Sequence, residues 1–320
     1  MLDLFGFDPD SRLAIFHADD IGMCHGANVA FEELSRLGTI NCGSVMVPCP
    51  WFTEAANMAA ANPELDLGVH LTLISEWETY RWAPISTTSR SSGLLDEDGY
   101  FWRKLPALAA NVIPEAAEEE MRSQIERAFA AGIDITHLDT HMGAAVLPEL
   151  VEIYIRMGRE YKLPVLLPRR FSEYTSVLDF GDVPLARYEA LLAKLEAKEW
   201  PLVDHFRMTP GVASADCERV YRDLIVGLQP GLNLIALHPN TNGDIETIVP
   251  PRANFRTDEY RLLSDPEFCN LVSQQDIRTI GFRPLRKLMR SKEKIRNPNG
   301  YRKSSGLQNF NTPGITMKQS

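Results

Sequence analysis

Short, β-rich apolar runs alternate with helical patterns almost from one end of the chain to the other. The apolar runs predict strands near residues 13–17, 42–47, 65–73, 134–138, 164–167, 202–206, 232–238 and 276–282. Between them, residues 27–37 carry Val29, Ala30, Leu34 and Leu37 at helical spacing and stop at Gly38, a natural residue for a helix end. Residues 53–61 begin on Thr53, an available cap, and finish before Pro63. Residues 114–131 open with Pro114 and acidic side chains and finish before Gly132, as the helix dipole and capping preferences favour. Further helices fit 148–162, 184–199, 215–228 and 257–272. Eight strands separated by helices predict an α/β protein whose parallel strands close into a (β/α)8-type barrel, with an open doubly wound sheet as the alternative. No GxGxxG or GxxxxGK[ST] follows any strand, which counts against a nucleotide-binding fold.

Length and composition agree with that reading. The chain has 320 residues, 44% hydrophobic and 24% charged, enough material for one barrel core. One domain over 1–285 is expected, with an aromatic insertion at about 76–112 that holds Trp77, Tyr80, Trp82, Tyr100, Phe101 and Trp102. Residues 286–320 hold nine Lys/Arg against one Glu, so they read as a basic, flexible C-terminal tail. The formal net charge is −10, which leaves about −18 on the body and argues against a nucleic-acid groove across it. No apolar run approaches the roughly 18 residues a membrane span needs. The N-terminal residues show no basic segment or cleavage site, and the five cysteines are odd in number without a CxxC pair. A cytoplasmic protein is therefore expected. A homodimer is a reasonable expectation because insertions on barrels commonly pack across a two-fold axis, although the sequence shows no interface directly.

Chemistry in such barrels gathers at the C-terminal ends of the strands. Strand one ends in His17-Ala18-Asp19-Asp20, strand three contains His70, strand four runs through His137, Asp139 and His141, and strand seven ends in His238-Pro239-Asn240. Five of the seven histidines thus fall at or just beyond strand ends. Two imidazoles and a carboxylate around an open position make a common divalent-metal site. Each residue alone has a plainer reading: Asp19-Asp20 as a turn with Asx hydrogen bonds, His70 as a core histidine, His137 and His141 as a helix-start pair. Their joint placement on different strands favours the metal site, while His25 and His205 read as structural.

HADDIG (17–22), GVHLTL (68–73), HLDTHMG (137–143) and LHPN (237–240), in that order, resemble the YdjC-like carbohydrate deacetylases. The resemblance extends over about 13–286. It implies a distorted (β/α) barrel that removes an acetyl group from an N-acetylated sugar or oligosaccharide with one divalent metal ion, Mg or Zn first and Mn, Co or Ni as alternatives. Carried over position by position, Asp20, His70 and His141 match the metal ligands, Asp19 the general base and His238 the general acid. Arg169 or Arg170 stands where an arginine could orient the base or the oxyanion; Arg169 is carried as the candidate. Three positions depart from the family pattern: Gly143 and Asn240 replace a frequent histidine and glycine, and His17 stands where Asn is common. Rival readings are a metal-dependent phosphoesterase on a related barrel, a non-haem iron oxygenase, or a non-catalytic sugar-binding protein.

Overall fold

A computed structural model describes residues 2–178, 180 and 183–296. Seven strands run through it: Arg12–Ile21 (β1), Cys42–Val45 (β2), Leu67–Leu71 (β3), Leu138–Thr140 (β4), His205–Met208 (β5), Gly231–Leu237 (β6) and Ile277–Thr279 (β7). All pairings are parallel, in the order β4-β3-β2-β1-β6-β5, with β7 paired to β1. Parallel strands are covered on both faces, which is why β2, β3 and β6 are mostly apolar or small, with His70 and Asn233 as the polar exceptions, and every residue in them is buried. β6 takes one whole edge of β1, from Arg12 to Ala18. The other edge is shared: β7 meets Arg12, Leu13 and Ala14, and β2 meets His17 to Ile21.

The sheet closes into a distorted barrel, as expected, but the strand predicted over 164–167 is reduced to two isolated bridges. Val165 pairs with Leu138 and Pro168 with Val203, carrying the ring from β4 to β5. Pro164 and Pro168 lack the N–H that a regular ladder requires, so the segment stays extended without forming a full strand. The helix predicted over 257–272 is two helices, Ala253–Leu263 and Pro266–Gln274. Pro266 cannot continue the first, and the Asp265 side chain accepts a hydrogen bond from the Glu267 N–H to start the second.

The aromatic insertion crosses the end of the barrel where strands β1 and β3 finish. Tyr80 donates its hydroxyl to the Met23 carbonyl, Trp82 its indole N–H to the Ile74 carbonyl, and Arg81 pairs with Asp96 at 2.7 Å. Trp82 and Phe101 are buried, so these rings form the inner packing of the cover. At the opposite end, the helix Arg283–Arg296 spans the expected domain boundary: Arg286 is buried and pairs with Asp134, and Arg283 donates its backbone N–H to Asp66. The rest of the expected tail, 297–320, lies outside the described residues. Among the described residues no helix is long and apolar enough to cross a membrane.

Candidate metal centre

Strand alternation alone would aim Asp19 and Asp20 to opposite faces. β1 breaks the alternation at this point. Its register with β2 slips between Ala18 and Ile21, and Asp20 adopts a left-handed φ of 62°. Asp tolerates that conformation better than most residues, and bulges of this kind re-aim side chains beside functional sites. Both carboxylates therefore line one cavity of 1110 Å³ at the C-terminal end of the barrel, together with His70, His141 and His238.

Asp20, His70 and His141 bring one ligand atom each to within 4.8 Å of one another, and all three are buried. Asp20 Oδ1 lies 3.1 Å from His141 Nδ1 and 3.5 Å from His70 Nε2. That oxygen is buried yet has no hydrogen-bond partner. Each imidazole is backed by its own carboxylate on the far side. His70 Nδ1 is 2.8 Å from Asp139 Oδ2, which also accepts from Ser44 Oγ at 2.8 Å, and His141 Nε2 is 2.9 Å from Glu76 Oε2. Outer carboxylates that orient histidines are the usual surroundings of metal-ligating imidazoles. The donor set of one carboxylate and two imidazoles, with an orphaned oxygen at its middle, fits a divalent cation.

The electrostatics agree. Burial by itself would raise the Asp20 carboxyl, but Arg256 Nη1 at 2.8 Å from Oδ2, with His141 and His70, holds it well below the usual range. Against the downward pull of burial, Asp139 raises His70 well above its ordinary value, and Glu76 with Asp20 raises His141 to about 9. The centre favours positive charge, which a divalent cation held by Asp20, His70 and His141 would supply in place of those protons.

Asp19 stands beside this cluster. Its Oδ1 accepts from His17 Nδ1 at 2.6 Å, and its Oδ2 is 3.8 Å from His238 Nε2. His238 follows β6 and donates its backbone N–H to Glu259, while burial and then Arg256 lower its proton affinity. The loop beyond it is fixed by Asn240, whose side chain meets Cys24 Sγ at 3.2 Å. His17 and His137 sit deeper, with their Nε2 atoms 2.7 Å apart.

The structure does not bring Arg169 or Arg170 to this group. Arg169 is bound to Asp204 and Glu196, Arg170 to Glu173, and neither lines the cavity. The arginine that reaches the centre is Arg256, which sequence reasoning missed. Its signal lay in the helix Ala253–Leu263, where Ala253, Arg256, Glu259 and Leu263 recur at helical spacing and are all buried, so the charges fall on the core-facing stripe. Asp139 and Glu76 were also missed as partners. Asp139 shares a strand face with His137 by the two-residue alternation, whereas nothing local points to Glu76. His25 is exposed against Glu54 and His205 pairs with Glu173, both away from the cluster.

The model of the YdjC-like protein family matches residues 13–274. A carbohydrate deacetylase of Thermus thermophilus is 33% identical over 82% of this chain and 90% of its own length. Carbohydrate deacetylase 1 of Listeria innocua is 29% identical over 85% of this chain and 99% of its own. A solved structure from Enterococcus faecalis, named as a candidate cellobiose-phosphate cleavage protein, superposes with a TM-score of 0.67 at 20% identity, covering 86% of this chain and 99% of that one. With a barrel of this kind and matches that span most of its length, the chain belongs to the YdjC-like protein family.

Proposed function

We propose that the protein is a metal-dependent carbohydrate deacetylase that hydrolyses the acetamido group of an N-acetylated sugar or oligosaccharide. The observation that carries the metal assignment is Asp20 Oδ1, buried without a partner between His70 and His141, each of which leans on its own carboxylate. Those three residues would hold a divalent cation, whose Lewis acidity would polarise the amide carbonyl and ease deprotonation of the attacking water. Asp19, which lines the cavity, acts as general base and takes the proton of that water. His238, 3.8 Å away, acts as general acid and gives a proton to the departing amine nitrogen. Burial and Arg256 make His238 readier to release a proton than a solvated imidazole. Arg256 binds Oδ2 of Asp20 and leaves Oδ1 turned to the imidazoles. A cavity of 1110 Å³ has room for more than a single sugar ring, and the curated relatives' names support an acetylated carbohydrate as substrate.

The test is acetate release from N-acetylated mono- and oligosaccharides with added Mg, Mn, Co, Ni or Zn, alongside metal content of Asp20→Ala and His141→Ala. Both variants are expected to lose the metal and to keep the fold. Full occupancy in both would remove the ligand assignment, and phosphate release from a phosphoester without acetate from any amide would favour the phosphoesterase reading.

A further inference from the structure

The mechanism above leaves His17 and His137 unused, although both are 0% exposed and lie directly under Asp19. We propose that His17 is a positioning residue for Asp19, and that His137 holds the His17 ring in place. The inference rests on Asp19 being the proton acceptor of the proposed reaction.

The two oxygens of Asp19 have different neighbours. Oδ1 is bound to His17 Nδ1 at 2.6 Å, and Oδ2 lies toward His238. A carboxylate only accepts, so the His17 nitrogen facing it carries the proton. The other nitrogen of His17 is 2.7 Å from His137 Nε2. Turning the His17 ring over would replace both nitrogens by carbons and lose both contacts, so the ring has one orientation. His137 is fixed in turn. Its Nδ1 is 2.9 Å from Thr136 Oγ1, and its ring stacks on Phe282 with centroids 3.9 Å apart at 14°. The space for that ring exists because residue 68 is glycine: a Cβ there would lie 2.6 Å from His137 Cε1 and Nε2.

The result is a rigid buried post, from Phe282 and Gly68 through His137 and His17, that pins one oxygen of Asp19 and sets the rotation of the other. Such support matters because Asp19 precedes a left-handed residue in a slipped strand, where the backbone alone constrains the carboxylate less than a regular ladder does. Catalytic groups need their supporting shell to within a fraction of an ångström, and a misplacement of 1 Å costs about a hundredfold in rate.

Two substitutions separate positioning from space filling. In His17→Asn the amide overlies the Nδ1 side of the imidazole and keeps a donor to Asp19, whereas His17→Gln puts its amide near Nε2 and keeps only the contact to His137. With the full chain, metal-loaded, and an N-acetylated chitooligosaccharide as substrate, His17→Asn is expected to keep kcat within about fivefold. His17→Gln and His17→Ala are expected to lose about ten- to a hundredfold in kcat, with KM and metal content unchanged. Equal rates for Asn and Gln, or a loss confined to KM, would overturn the proposal. So would the loss of a second metal equivalent in His17→Gln, because His17, His137 and Asp139 would then be ligands. A readout without substrate is the tautomer of His17 in the nitrogen spectrum of histidine-labelled protein. An Nδ1–H with a far-downfield proton that disappears in Asp19→Ala supports the contact, and a bare Nδ1 refutes it. If the wild type released no acetate, the deacetylase reading would fail while this spectrum still judged the His17–Asp19 contact.

Discussion

Glu259 offers the sharpest test of the energetics behind the cleft. It is 0% exposed, on the helix Ala253–Leu263, and accepts hydrogen bonds from the Tyr221 hydroxyl and from the backbone N–H of His238. Burial raises its carboxyl from 4.5 to about 7, against the opposing pull of Tyr221, Thr209, His238 and Arg256. Between those two values the folded protein keeps a proton that the unfolded chain releases, so stability falls as pH rises. The contribution is fully present below about pH 4.5 and is lost as pH climbs through 7. At 1.36 kcal/mol per unit, the whole shift is worth about 3 kcal/mol, of which about 2 to 3 kcal/mol falls between pH 5 and pH 8. Glu259→Gln keeps the shape and removes the titration. Its oxygen accepts from His238, its NH2 donates to Tyr221, and the Tyr221 hydroxyl turns to accept. Urea unfolding of both proteins at a series of pH values measures the difference, which cancels every other titrating group. The wild type should lose about 2 to 3 kcal/mol more than the variant across that interval. Parallel profiles within about 0.5 kcal/mol would refute the raised proton affinity of buried Glu259.

Asp19→Asn should bind metal as the wild type does yet lose about 10²- to 10⁴-fold in kcat, and wild-type turnover would remove its role as base. Arg169→Met, which disturbs only the pairing with Asp204 and Glu196, should leave kcat/KM within about twofold and cost at most about 1 kcal/mol in urea unfolding. A hundredfold loss of activity there would mean that the arginine reaches the cleft during turnover. Asp265→Ala should destabilise by about 1 kcal/mol through loss of the cap on Glu267; no change would mean that Pro266 alone separates the two helices.

Much of the architecture was readable because periodicity is a local property. The apolar runs of β1, β3 and β6 and the helical spacing of residues 27–37 report burial one element at a time, and those strands already bring Asp19, Asp20, His70 and His238 to their ends. The two-residue alternation from His137 into β4 likewise puts His137 and Asp139 on one side. What local pattern could not decide was any relation that depends on a backbone departure or on distant segments meeting. Which neighbours the 164–168 segment bridges, Leu138 through Val165 and Val203 through Pro168, was set by distant segments meeting. Asp19 and Asp20 share a cavity only because the register of β1 slips and Asp20 turns left-handed, and a strand pattern carries no trace of that.

Partners distant in sequence leave no local signal. Arg256 meets Asp20 across 236 positions, and Glu76 meets His141 across 65. Such contacts are set by how helices and insertions pack over the barrel end, and no spacing rule spans them. By itself, then, the sequence determined which chemistries the chain holds and on which strands they end, because residue type and periodicity are written locally. Only the tertiary structure decided which arginine, which outer carboxylates and which buried imidazoles surround Asp19 and Asp20, because those choices come from the three-dimensional meeting of elements far apart along the chain.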